Sequence, residues 1–225
     1  MGTLFVVATP IGNLKDITLR ALEILRSVDL IICEDTRQTK KLLSYYHLNK
    51  ETLSYHQHSS LKKQRQILNL LREGKELALV CDAGTPGIAD PGQKLIEYLL
   101  KREDKIKIVP IPGPSALIAS ASISGFCTDK FLFLGFLPKK GRKKIYKEIK
   151  ESKYTLIFYE AGSRIVKTLE DLILLLGERR IVLLRELTKK FETIYRGKAK
   201  EVLQQLSQTS KKGEFTLVIE GKIKN

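Results

Sequence analysis

Apolar residues in the first half of the chain recur in short unbroken runs, separated by stretches with a helical period. Leu4–Ala8, Asp29–Cys33, Leu77–Cys81 and Ile106–Ile111 are rich in Val, Ile and Leu. Runs of this length and character mark strands covered on both faces, as parallel strands are. Between them, Leu19–Ser27, Thr39–Tyr46, Leu61–Arg72 and Gln93–Lys101 space their apolar side chains for one face of a helix. The alternation predicts βα units in a mostly parallel sheet, which collects ligands beyond the carboxyl ends of its strands.

After Pro114 the pattern changes. Ser115–Ser124 is small and apolar and predicts a closely packed helix. Strands are expected at Phe131–Leu134, Thr155–Tyr159, Ile181–Leu184, Glu192–Tyr195 and Phe215–Ile219, and helices at Ile165–Leu176 and Glu201–Leu206. The chain thus reads as α/β throughout, in two lobes, residues 1–113 and 114–225, with no internal repeat and no low-complexity linker.

Composition narrows the class. Hydrophobic residues make up 43% of the 225, enough for a packed core. No apolar run reaches the roughly 20 residues that span a bilayer. The N-terminus opens on a strand-like run without the basic segment or cleavage site of a signal peptide, so a soluble cytoplasmic protein is expected. Cys33, Cys81 and Cys127 are widely spaced and form no CxxC pair; they read as buried, reduced thiols. His56 and His58 lack further ligands at metal-binding spacing and read as part of a polar loop.

Charge points to a partner. Forty Lys and Arg against 25 Asp and Glu give a net charge of +15, a balance suited to a polyanion. The charge is clustered. Lys139–Lys153 holds eight basic residues against Glu148 and Glu151, and smaller groups lie at Arg37, Lys40 and Lys41 and at Lys62, Lys63 and Arg65. Clustering favours a nucleic-acid surface, with Lys139, Lys140, Arg142, Lys143 and Lys144 as its candidate contacts.

The punctuation between strands carries the chemistry. The first strand runs into Thr9-Pro10-Ile11-Gly12-Asn13, the second into Glu34-Asp35-Thr36-Arg37, the third into Asp82–Gly92, and the last of the lobe into Pro112–Ala116. Gly permits close backbone approach and Pro fixes the turn, so these four loops together suit a nucleoside-sized ligand. Asp82 can accept from a ribose or an amino group, and Ser115 reads as a helix N-cap. GxxxxGK[ST], a GxGxxG after the first strand and GxSxG are all absent, which disfavours a P-loop nucleotidase, a dinucleotide oxidoreductase and an α/β-hydrolase. Acid and base also meet at further strand ends: Glu160 with Arg164, and Arg185 and Glu186 with Lys189 and Lys190.

Taken together, TPIGNLKDIT, EDTRQTKKLL, DAGTPGIADPG and PGPSA resemble, in order and spacing, the small-subunit ribosomal RNA 2′-O-ribose methyltransferases of the tetrapyrrole-methylase-like superfamily. FLFLGFLP, LIFYEAGSR, LLRELTKKFE and KGEFTLVIEG extend the resemblance over nearly the whole chain. It implies two α/β lobes, the first with a mostly parallel sheet and the second with a mixed one, holding S-adenosylmethionine in a cleft between them, in a homodimer. Pro10, Gly12 and Asn13 would stand at the mouth of that cleft. Asp82, Ala83, Gly84, Thr85, Ile88 and Ala89 would sit beside the cofactor, with Gly113, Pro114, Ser115 and Ala116 lining it. The implied substrate is a cytidine ribose of the small ribosomal subunit. Two departures stand out: Gly162-Ser163 where relatives read Pro-His, and an end soon after KGEFTLVIEG where longer relatives continue.

For such a transfer the protein aligns the ribose oxygen with the methyl–sulfur bond, and a base takes the hydroxyl proton. Asp35, Glu160 and Glu186 are the candidate base or its support. Arg37 and Arg164 would hold phosphate or orient the acids, and Lys189 would meet phosphate or the developing alkoxide. The competing expectations are a tetrapyrrole methylase and a non-catalytic RNA-binding protein built on the same fold.

Overall fold

Five short strands, β1 (Thr3–Val7), β2 (Leu30–Cys33), β3 (Thr52–Ser54), β4 (Leu77–Leu79) and β5 (Lys107–Ile111), form one sheet in the order β3-β2-β4-β1-β5. Every pairing in it is parallel. The computed structural model, which describes residues 1–222, divides into two compact units. This sheet belongs to the first, residues 1–115; the second starts at Ala116.

Side chains of the first sheet alternate between two cores, as the pleat dictates. Leu4, Leu30, Ile32, Leu77 and Leu79 pack against α3 (Leu61–Arg72) and α4 (Gly92–Leu100). Val7, Ile31, Cys33, Ala78 and Val80 pack on the other face against α1 (Leu19–Ser27) and α2 (Thr36–Tyr45). Each fully buried Leu or Ile contributes about 1.5–3 kcal/mol by leaving water, so these runs alone fix the layer order. The helices begin where the sequence offers caps: Thr18 Oγ1 accepts from Ala21 N, and Asp35 accepts from Arg37 N.

The second unit carries β6 (Phe131–Phe136), β7 (Thr155–Ala161), β8 (Arg180–Arg185), β9 (Thr193–Lys198) and β10 (Glu214–Ile219) in the order β6-β7-β10-β8-β9. Only β6 and β7 run parallel; the other pairs are antiparallel, so the sheet is mixed. One face packs Leu156, Phe158, Ile181, Leu183 and Leu217 against α6 (Lys143–Glu151), α7 (Ile165–Leu176) and α8 (Ala199–Ser207). α5 (Ala116–Ser122) lies against β7 and β10.

Several expectations change. β3 was not anticipated from the sequence: it is a three-residue edge strand with no apolar run. The Lys139–Lys153 segment is a basic run in sequence, yet within α6 Ile145 and Ile149, one turn apart, turn inward. β7 and β8 extend far enough to take Glu160 and Arg185 into the strands themselves rather than leaving them in the loops beyond. Cys33 and Cys81 are buried as expected, but Cys127 is exposed, because it lies in the loop before β6. Among the described residues no helix is long and apolar enough to cross a membrane, and no cluster of potential metal ligands exists.

Candidate functional site

Because all five strands of the first sheet run the same way, the loops after them emerge at one edge. β1 and β4 are neighbours whose following helices, α1 and α4, leave toward opposite faces. A crevice for ligands opens at such a switch point. Here the two loops are tied across it: Thr9 N donates to Gly84 O at 2.9 Å and Gly84 N to Thr9 O at 3.0 Å. Thr9 Oγ1 donates to Cys81 O at 3.1 Å, and Thr85 Oγ1 reaches Pro114 O in the loop after β5 at 3.2 Å.

The glycines in this knot are there for space and conformation. Gly84 has φ +88° and Gly87 φ +87°, values an L side chain rarely adopts. A Cβ on Gly113 would stand 3.0 Å from that of Ala8. Asp90 closes the long loop by accepting from Gly87 N at 2.9 Å and Gly92 N at 2.7 Å. Ala89, with φ 60°, is a non-glycine held in the left-handed region, the kind of local strain that concentrates at functional sites. Gly12, Asn13, Asp82, Ala83, Ala89 and Gly113 are exposed on this edge, and so is Ile88, at 44%. Pro10 and Gly84 are buried and act from beneath, while Thr85, Pro114 and Ser115 are half-buried. Ala116 opens α5 and belongs to the second unit.

The acids at this edge differ in what holds them. Asp35 is the cap of α2 and forms a two-pronged pair with Arg37, Nε to Oδ1 at 3.0 Å and Nη2 to Oδ2 at 2.7 Å. Those bonds lower its pKa to about 2. A carboxylate that accepts both prongs of Arg37 and is held so low is a poor proton acceptor, which favours the supporting role over that of base for Asp35. Arg37 is itself spent on this pair, though its side chain remains 86% exposed. Asp82 Oδ1 accepts from Asp35 N at 3.1 Å. Glu34, half-buried, has its pKa raised, chiefly by burial and then by the charges of Asp82 and Asp90. In sequence Glu34 stands at a strand end with no motif that assigns it a role.

In the second unit Glu160 is the centre of an ion network. Its side chain is fully buried, and it accepts from Arg142 at 3.0 Å, Arg164 at 2.6 Å, Thr168 Oγ1 at 2.8 Å and Ala161 N at 3.0 Å. Four donors leave it no lone pair for a substrate hydroxyl, which favours the second of the two roles expected of Glu160, support rather than base. The anchor shapes a turn: Arg164 also donates to Leu137 O at 2.8 Å and Arg142 to Pro138 O at 2.7 Å. Tyr146, which accepts from Arg142 and donates to Asp171, ties α6 into the same network. Thr168, eight residues beyond Glu160, carried no sequence signal of its own.

That turn leads into the basic cluster. Lys139, Lys140, Lys143 and Lys144 are exposed, whereas the Arg142 side chain keeps only 13% exposure and is committed to Glu160. Arg142 is therefore withdrawn from the set of candidate RNA contacts.

The loop after β8 is a separate arrangement. Glu186 and Thr188 both have positive φ, 51° and 63°. Glu186 Oε1 accepts from Glu214 N at 2.8 Å and from Lys189 Nζ at 3.1 Å, and Lys189 also reaches Glu214 at 2.7 Å. The hydrogen bonds from Glu214 N and Lys189 outweigh burial and lower the pKa of Glu186, which disfavours it as a base.

Gly162 has its own physical reason. Its N–H donates to Gly213 O at 2.9 Å, and a Cβ would fall 2.4 Å from Lys211 O. The Pro that the resemblance implies at this position has neither the N–H nor the room.

Comparison with known proteins adds the following. The family model for Tetrapyrrole (Corrin/Porphyrin) Methylases matches residues 3–203. A ribosomal RNA small subunit methyltransferase I of Thermotoga maritima is 44% identical over 99% of this chain and 100% of its own length. The protein of the same name from Escherichia coli O157:H7 is 46% identical over 98% of this chain and 78% of its own. Among solved structures, diphthine synthase superposes with a TM-score of 0.74 at 13% identity, covering 97% of this chain and 90% of that one. A uroporphyrin-III C-methyltransferase from Thermus thermophilus complexed with S-adenosylhomocysteine gives 0.68 at 16% identity, with 97% of each chain covered.

Proposed function

Since the chain belongs to the tetrapyrrole methylase family, we propose that it is a methyltransferase that uses S-adenosylmethionine to methylate small-subunit ribosomal RNA, at a cytidine ribose 2′-hydroxyl. The observation that carries this reading is the similarity, at 44–46% identity over 98–99% of this chain, to ribosomal RNA small subunit methyltransferases I. The knot of loops at the carboxyl edge of the first sheet supports it.

The cofactor fits the residues present there. Small side chains at Gly12, Ala83, Ala89 and Gly113 leave the backbone accessible, exposed Ile88 offers an apolar face, and Asp82 offers a carboxylate to ribose hydroxyls or an amino group. When bound, S-adenosylmethionine supplies a methyl group already activated on a sulfonium. The chain's work is then orientation, which contributes on the order of 7–11 kcal/mol in favourable models. The cross-links Thr9–Gly84 and Thr85–Pro114 suit that work, because they hold three loops in one geometry before any ligand arrives.

Lys139, Lys140, Lys143 and Lys144 meet RNA phosphates, presented by the turn that Glu160 anchors through its two arginines. The protein works in the cytoplasm, as a homodimer, on the small ribosomal subunit or its RNA.

The test uses methyl-tritiated S-adenosylmethionine, purified protein and small subunits lacking native ribose methylation, with protein-free ribosomal RNA alongside. Label in an alkali-resistant dinucleotide is the expected result. Label transferred to a tetrapyrrole but to neither RNA substrate refutes the RNA reading.

A further inference from the structure

We propose that Glu34 is the catalytic base that accepts the proton of the substrate's ribose hydroxyl, an inference that rests on the RNA methyltransferase reading and deepens it. The case begins with position. β2 is buried along its whole length and delivers Glu34 directly from its carboxyl end to the edge where the loops after β1, β4 and β5 are tied together.

It continues with what each neighbouring acid is already doing. Asp35 is filled by Arg37, Asp90 by the amides of Gly87 and Gly92, and Asp82 accepts from Asp35 N. Glu34 alone of these four makes no hydrogen bond or ion pair with any described residue. Its lone pairs are open to a substrate hydroxyl.

Its surroundings set its basicity in the useful direction. Burial disfavours the carboxylate most, Asp82 and Asp90 from the loop after β4 add repulsion, and Asp35 adds a little more. Only His56, in the loop after β3, acts the other way. A carboxylate whose proton affinity is raised toward the working pH is a better base than one held low by an arginine. No basic side chain is bonded to Glu34 to cancel the effect, in contrast to Glu160 and Glu186.

In the step, the hydroxyl proton passes to the Glu34 carboxylate as the ribose oxygen forms its bond to the methyl carbon. The methyl–sulfur bond breaks with its electron pair going to sulfur, which leaves a neutral thioether. Glu34, now a neutral acid, returns its proton to water.

The experiment compares wild type with Glu34→Gln and Glu34→Asp in single-turnover transfer at saturating cofactor, from pH 4.5 to 9. Carboxyl-carbon NMR titration of the unliganded protein runs beside it, with Glu34→Gln and, independently, Glu34→Asp assigning the resonance. We expect a Gln variant that binds cofactor normally but transfers at least ~100-fold more slowly, in line with the loss of a positioned base. The wild-type rate should fall at low pH along a limb that the Gln variant lacks, and the Glu34 resonance should titrate above the ordinary glutamate value. Wild-type activity with an unimpaired Gln variant overturns the proposal and leaves the methyltransferase reading standing. A Glu34 resonance titrating below the ordinary value overturns it without reference to activity, even if the Gln variant fails to fold. No transfer by wild type to any RNA removes the methyltransferase reading, and this proposal with it.

Discussion

Replacing Glu160 with Gln separates an anchoring role from a chemical one. Gln keeps the shape of the side chain but removes the charge between two guanidiniums, and its amide nitrogen presents donors where Arg142, Arg164, Thr168 and Ala161 already donate. Breaking a buried ion pair by removing one partner costs about 3–5 kcal/mol. The arginine side chains keep 13% and 22% exposure, so water takes over part of their solvation. The low end, about 3 kcal/mol, is therefore the expected loss. At roughly 2–4 °C per kcal/mol for a chain of this size, melting should fall by about 6–12 °C. Urea and thermal unfolding measure that loss, and single-turnover transfer at a temperature where both proteins are folded measures the chemistry. The Gln variant should need more RNA to saturate, because the turn at Leu137 and Pro138 loses its tether, yet keep a saturated rate within about threefold of wild type. A stability change under about 1 kcal/mol together with a ~100-fold slower saturated rate would refute the anchoring assignment.

Changing Lys139, Lys140, Lys143 and Lys144 to Ala should leave the melting temperature unchanged and weaken RNA binding. The slope of log K against log salt should shrink by up to about 3, at ~0.7 per single-strand phosphate contact; an unchanged slope places the RNA elsewhere. Gly162→Pro should destabilise by about 1–3 kcal/mol in urea unfolding through overpacking against Lys211 and loss of the bond to Gly213, and a neutral result contradicts that packing. Asp35→Asn keeps a competent helix cap but removes a charge whose folded pKa, about 2, lies below its ordinary 3.8. The stability from that charge is present above the unfolded value and disappears as pH falls from about 4 to 2. The urea midpoints of wild type and variant should differ at neutral pH and converge at low pH, and a gap that persists there argues against the pairing.

The layers of this protein are legible in its apolar pattern. Runs such as Leu30–Cys33 and Leu77–Leu79 have both faces covered, as strands of a parallel sheet with helices on each side do. The helical period placed α1 at its observed bounds but put α2 at Thr39, one turn late, because the Asp35 cap that starts it at Thr36 precedes the first apolar position of the helix. The Gly and Pro clusters marked the loops at the carboxyl edge, since turn conformation is set within a few residues. Short or charged elements escaped. β3 exists because an edge position beside β2 was available, and α6 because Ile145 and Ile149 had a core to enter.

What each charged residue does depends on the neighbours that folding gives it. Glu34, Asp35, Glu160 and Glu186 look alike in sequence, each an acid at or near the end of an apolar strand. Folding surrounds Glu160 with two arginines from separate segments, gives Asp35 an arginine of its own helix and Glu186 a lysine of its own loop, and leaves Glu34 among other acids. Proton affinity depends on burial and on charges within a few ångströms, and those neighbours lie up to dozens of residues away along the chain.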